Sequence, residues 1–182
     1  MYNFFMNYRR VFIQNSYVHL VILAYKRQNI FTDNIELLRC AFKNAKKYFK
    51  FEILTICVLP NHIHMILKPD NITEYPRIIT SIKYYFSKNI NYVGQECPTY
   101  GYMNKRERGI FQRRYYEHTI KSEDEFNNHI NYIHFNPVKH GLVNAVKDWE
   151  YSSFHQFVKK GLYEVNWGSE ADVESIKNLD FG

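Results

Sequence analysis

The chain has 182 residues, enough for one domain with a sizeable core and a short appendage. It carries 24 Lys and Arg against 18 Asp and Glu, for a formal charge of +6 and a pI near 9.1. Three cysteines (Cys40, Cys57 and Cys97) without Cys-x-x-Cys spacing argue against a disulfide framework or a thiolate zinc site. No apolar run reaches membrane-spanning length, and the stretch MYNFFMNYRR lacks the long apolar segment of a signal peptide, so the sequence reads as cytoplasmic with no membrane partner.

The charge is unevenly placed. Residues 1–160 hold 23 Lys and Arg against 13 Asp and Glu, whereas residues 161–182 hold one Lys against five acids. The division reads as a single domain over 1–160 followed by an acidic appendage over 161–182. Aromatic residues make up 18% of the chain, with 16 Tyr and 14 Phe. A basic body rich in tyrosine suits a nucleic-acid partner.

In chain order, residues 1–15 are aromatic and basic with no clear periodicity. Residues 17–25, YVHLVILAY, form a strand, and His19 near its beginning reads as a residue of the core edge. Ile35, Leu38, Phe42, Ala45 and Phe49 recur at helical spacing across 34–49, with Arg39, Lys43, Lys46 and Lys47 on the remainder. Strands follow at 51–59 and 62–67, joined by a tight Pro60-Asn61 turn. Cys57 in the first of them reads as a small core residue. A second helix covers roughly 74–89, and 90–109 reads as a long loop. Residues 110–120, IFQRRYYEHTI, predict a fourth strand carrying Arg113 and Arg114. Ser122 and Glu125 then open a third helix as a capping box, Pro137 is expected to end it, and Gly141 and Leu142 close the segment. Trp149 and Phe154 in 147–160 dock on the body, and the tail folds back or packs with Trp167.

The order β-α-β-β-α-β plus a helix is the ferredoxin-like pattern. It is an α+β fold with a four-stranded antiparallel sheet, two helices on one face, and an added C-terminal helix, which becomes the catalytic helix under the resemblance given below. The other sheet face stays free or receives that third helix. Within 62–67 side chains alternate, so His62 and His64 share one face and Ile63 and Met65 the other. Two imidazoles at i and i+2 make half of a metal site. In the third helix, Tyr132 and Asn136 are four apart and share a face. If that face meets the histidines, Asn136 would complete three protein ligands and Tyr132 would bring a phenol to the same place. A mixed N/O set suits Mn²⁺ or Mg²⁺, and imidazoles also accept zinc. A phenol is a weak nucleophile at neutral pH, and a divalent ion would help by polarising a phosphate oxygen.

Residues 60–66 (PNHIHMI), 111–118 (FQRRYYEH), 132–143 (YIHFNPVKHGLV) and 149–154 (WEYSSF) together resemble the REP-associated tyrosine transposases and their insertion-sequence relatives within the HUH single-strand nucleases. The resemblance covers about Tyr17 to Trp167. It implies His62 and His64 as metal ligands, Asn136 as third ligand and Tyr132 as nucleophile, with Mg²⁺ or Mn²⁺ as cofactor. The implied activity is transesterification on single-stranded DNA beside a hairpin, through a 5′-phosphotyrosine link and a free 3′-hydroxyl. Lys43, Lys46, Lys47, Arg113 and Arg114 are expected on the DNA backbone, and either a monomer or a homodimer fits the resemblance. The competing expectation is a non-catalytic DNA- or RNA-binding module on the same fold, since a ferredoxin-like sheet with aromatics is also an RNA-binding shape.

Overall fold

The computed structural model describes residue 10 and residues 12–90 and 109–168. Most of the N-terminal stretch, all but the two ends of the expected loop at 90–109 and the end of the acidic tail lie outside them.

Among the described residues, four strands and four α-helices follow in order: β1 (Tyr17–Leu23), α1 (Ile35–Ala45), β2 (Phe51–Val58), β3 (His62–Pro69), α2 (Tyr75–Asn89), β4 (Tyr116–Ile120), α3 (Glu123–Lys139) and α4 (Phe154–Lys159). The strands form one antiparallel sheet in the order β2-β3-β1-β4, so the ferredoxin-like expectation holds. β1 and β3 occupy the middle. A two-residue turn at Pro60 and Asn61 joins β2 to β3, closed by the Leu59 amide donating to the His62 carbonyl at 2.8 Å.

Both faces of the sheet are covered. Val18, Leu20, Ile22, Ile63, Met65 and Leu67 meet Leu38, Phe42, Ile78, Ile82 and Phe86 of α1 and α2 in one core. Cys57, Ile66 and Ile120 on the other face meet Ile130, Ile133 and Phe135 of α3, together with Val146 and Phe154, in a second. The third helix therefore lies across the face that carries the histidines. Cys57 is fully buried, as expected of a small core residue.

The segment after α3 extends the sheet beyond β2. The Val58 amide donates to the Tyr151 carbonyl at 2.8 Å, the Ser153 amide to the Ile56 carbonyl at 2.8 Å, and the Trp149 indole to the Val58 carbonyl at 3.0 Å. This covers an edge strand that would otherwise present unpaired backbone groups. Tyr163 and Trp167 continue the packing, with ring centroids 4.5 Å apart and Trp167 6.1 Å from Phe154.

Three local expectations are corrected. The fourth strand begins at Tyr116, not at 110. Phe111 bridges Ala24 and Tyr116 pairs with Val21, so five steps on one chain face three on the other. The surplus residues bulge out, and Arg113 and Arg114 sit in this exposed segment. α3 does not stop before Pro137 but continues to Lys139. A proline near a helix end removes one amide donor only, and the helix closes instead at Gly141, with φ +66°. There the Gly141 amide donates to the Val138 carbonyl and the Leu142 amide to the Pro137 carbonyl, each at 2.9 Å. In the capping box, Ser122 Oγ accepts from the Glu125 amide at 3.2 Å, but Glu125 returns to the Lys121 amide at 2.7 Å, one residue earlier than the expected reciprocal bond.

A candidate metal and nucleophile site

The cross-strand register sets the site. His62 lies opposite Leu23, and His64 lies between Val21 of β1 and Cys57 of β2. Directly opposed residues share a face, so Tyr17, His19, Val21, His62, His64, Tyr116 and His118 all belong to the face under α3.

His62 and His64 come together as predicted, with ring centres 5.0 Å apart. Each has one nitrogen held. Asn61 Oδ1 lies 2.6 Å from His62 Nδ1, and an amide oxygen can only accept, so Nδ1 carries the proton and Nε2 keeps a free lone pair. His64 Nδ1 lies 3.4 Å from His19 Nε2, while His64 Nε2 is buried without a hydrogen-bond partner. Tying the far nitrogen in this way fixes the tautomer and ring orientation of a metal-binding imidazole. Burial, with repulsion from His140 and Arg27, pushes the His62 imidazole down to about 3. Burial and the neighbouring histidines hold His64 and His19 well below their ordinary range. All three are neutral at pH 7, the ligand-competent form.

His19 corrects the expectation that it sits at the core edge. It is fully buried and supports His64 from behind. Its partner strand and the covering helix arrive from distant sequence, which is why its local context on β1 was uninformative.

α3 brings the remaining pair. The Tyr132 ring centre is 5.6 Å from that of His64 and 6.5 Å from that of His19. Asn136 is fully buried, and its Nδ2 donates to the Tyr132 carbonyl at 3.1 Å. That bond assigns the amide and leaves Oδ1 as an acceptor, which is buried with no partner. A buried polar atom left unpaired costs about 1–3 kcal/mol. His64 Nε2 and Asn136 Oδ1 are both left in that condition, and a nitrogen and an oxygen donor of this kind suit a divalent cation.

The sequence reading missed two neighbours. Lys139 stands over the Tyr132 ring, its Nζ 4.7 Å from the centroid and 3.4 Å from the phenol oxygen. His140 at the end of α3 has its ring centre 4.9 Å from that of His62. Both follow from the continuation of α3 past Pro137, since Lys139 is seven residues from Tyr132 and returns to the same face.

The helix is also gripped from its other side. His134 Nε2 lies 2.9 Å from both Thr55 Oγ1 and Ser153 Oγ. Ser153 in turn accepts from the Ile56 amide at 2.9 Å. This buried network fixes the rotation of α3 and so decides which of its residues face the histidines.

The basic residues divide between two surfaces. Arg113 and Arg114 are exposed on the segment leading into β4. Lys43, Lys46 and Lys47 are exposed on or just after α1, on the far side of the sheet from the histidines. The structure does not bring these lysines to the site.

Residues 12–136 match the family described as "Transposase IS200 like". The chain is 38% identical over 172 residues to a Haemophilus influenzae protein named as a candidate REP-associated tyrosine transposase, covering 92% of this chain and 96% of the relative. It is 32% identical over 165 residues to the REP-associated tyrosine transposase of Escherichia coli K12, covering 90% and 91%. Among solved structures it is similar to a REP-associated tyrosine transposase bound to a REP hairpin, with a TM-score of 0.78, 28% identity and coverage of 97% and 96%.

Proposed function

We propose a residue-level mechanism for this chain, which belongs to the IS200-like transposase family and is a transposase acting on single-stranded DNA: Tyr132 is the nucleophile, and His62, His64 and Asn136 hold Mg²⁺ or Mn²⁺. The observation that carries it is the approach of the Tyr132 ring to His64 on a helix that also carries Asn136, with His64 Nε2 and Asn136 Oδ1 both buried without partners.

The substrate is single-stranded DNA beside a hairpin, a reading supported by the hairpin bound to the similar solved structure. The bound ion would polarise a non-bridging phosphate oxygen and stabilise charge at the departing oxygen. Tyr132 Oη attacks the phosphorus, the bond from phosphorus to the 3′-oxygen breaks, and that oxygen leaves as a 3′-hydroxyl after taking a proton. The 5′-phosphate remains esterified to Tyr132. A second 3′-hydroxyl attacking the same phosphorus reverses the step, joins new ends and returns the phenol. Lys139 covers the buried phenol, and an incoming phosphate would displace its ammonium from the ring and pair with it. Asn61 and His19 keep the ligand imidazoles oriented. The Tyr132 ring lies 5.6 Å from that of His64 in the same chain, which supports a reaction in cis.

A non-catalytic RNA-binding module would need an open sheet face on which bases stack. Here α1 and α2 cover one face and α3 with α4 the other.

The test is a hairpin-bearing single-stranded oligonucleotide incubated with Mn²⁺ and resolved on a denaturing gel. Wild type is expected to yield a covalent protein–DNA adduct and a shortened 3′-hydroxyl product. Tyr132→Phe removes one oxygen, so folding and DNA binding should persist while adduct and cleavage vanish. An adduct formed by Tyr132→Phe would refute the assignment.

A further inference from the structure

The histidines on the covered sheet face continue past the catalytic group. From His64, ring contacts run to His19 at 5.6 Å, on to His129 at 4.7 Å, and on to His118 at 5.3 Å. The row ends at a second cluster. His118 comes from β4, and Glu125 and His129 come from α3 at i and i+4, one turn apart on one helix face. Their ligand atoms all lie within 4.8 Å of one another. His129 is fully buried, whereas the side chains of His118 and Glu125 are 35% and 29% exposed, so the cluster has a buried floor and a solvent-facing side.

We infer that His118, Glu125 and His129 form a second metal site, distinct from the catalytic one, that takes Zn²⁺. The donor chemistry selects the ion: two imidazoles and one carboxylate are a known zinc set, with water in the fourth position, whereas Mg²⁺ prefers oxygen ligands. The carboxylate is already oriented. Glu125 Oε2 accepts from the Lys121 amide at 2.7 Å, leaving Oε1 turned to His118 Nε2 at 2.5 Å. Zinc would replace the proton of this last contact, with the three donors at roughly 2.0–2.2 Å from the ion. The ion ties β4 to the first two turns of α3, upstream of Tyr132 on the same helix, and so restrains the nucleophile helix without touching DNA.

Zinc stoichiometry by equilibrium dialysis of the full chain tests this. With His62→Ala and His64→Ala in place, one equivalent of Zn²⁺ should remain. Adding Glu125→Gln, which keeps the side-chain length and an oxygen for the Lys121 amide, should weaken its binding at least tenfold. In the otherwise unchanged chain, Glu125→Gln alone should remove one equivalent, and His118→Ala should do the same. Co²⁺ in place of zinc should give tetrahedral ligand-field bands without a thiolate charge-transfer band. The inference is overturned if the chain lacking His62 and His64 holds no zinc, or if Glu125→Gln and His118→Ala retain the full stoichiometry. A thiolate band would also overturn it, by assigning the ion to a cysteine such as the exposed Cys40.

Discussion

His134 offers a quantitative test of how α3 is held. Its ring is fully buried against Thr55 and Ser153, and burial alone pushes the imidazole down to about 3. In the unfolded chain a histidine titrates near 6.5. Between about pH 6.5 and pH 3 the unfolded state therefore binds a proton that the folded state refuses, and stability falls as pH falls through that window. Above 6.5 the contribution is level. Each unit of the window is worth about 1.4 kcal/mol, so at pH 4.5 this one side chain removes about 2–3 kcal/mol, a large share of a typical 5–15 kcal/mol total. His134→Gln keeps a hydrogen-bonding group and cannot titrate. Urea unfolding of both proteins at pH 7.5 and pH 4.5, with a chelator to remove metal binding, isolates the term. At pH 7.5 the variant should be the less stable of the two, by about 1 kcal/mol for its poorer geometry. On acidification wild type should lose about 2–3 kcal/mol more than the variant. Parallel pH dependences would show that His134 accepts a proton in the folded protein, and the clamp on α3 would need another explanation.

Two further outcomes concern the surface and the chain end. Arg113→Gln with Arg114→Gln should weaken binding to all single strands about equally and lower the salt dependence by roughly one unit of slope per lost contact. The same change at Lys43, Lys46 and Lys47 should matter less because α1 lies on the far side of the sheet, and a filter-binding salt titration compares the two sets. A chain ending at Gly168 should keep its thermal midpoint, whereas one ending at Lys160 should lose several degrees with Tyr163 and Trp167. Gly168→Ala should also destabilise, since its φ is +93° and a Cβ there would meet Val146 Cγ2 at 2.6 Å.

Local pattern carried the architecture because period two in β1 to β3, helical spacing in α1 and α2, and the Pro60-Asn61 turn each depend on neighbours in sequence. The same alternation put His62 and His64 on one face, and the four-residue step put Tyr132 with Asn136. What the pattern could not supply was depth. His19 looks peripheral until β3, β4 and α3 surround it. The start of β4 depended on a bulge between segments distant in sequence, and the end of α3 on Gly141 outweighing Pro137. The lysines of α1 looked suited to DNA by charge, yet both crossover helices of this topology pack on the face opposite the histidines.

α3 explains why the chain continues beyond its four strands. Glu125, His129, Tyr132, Asn136 and Lys139 follow one another by four, three, four and three residues, which is one face of a helix. Its middle, His129, Tyr132 and Asn136, is buried over a sheet face that carries His19, His62, His64 and His118, while Lys139 is exposed and Glu125 partly so. Such a pairing supplies little hydrophobic attraction, and the unpaired atoms on His64 and Asn136 alone cost about 2–6 kcal/mol together. The attraction has to come from the flanks. Ile130, Ile133 and Phe135 supply it by packing with Val146, Phe154, Tyr163 and Trp167, while Tyr163 donates a hydrogen bond to Asn131 and Ser153 holds His134. The segment from Val146 to Gly168 therefore supports the face of α3 that carries Tyr132 and Asn136 by packing on the flank of the helix. It holds in place a helix whose working face is too polar to hold itself, and a loosened contact at Trp167 should appear as lost cleavage before it appears as lost fold.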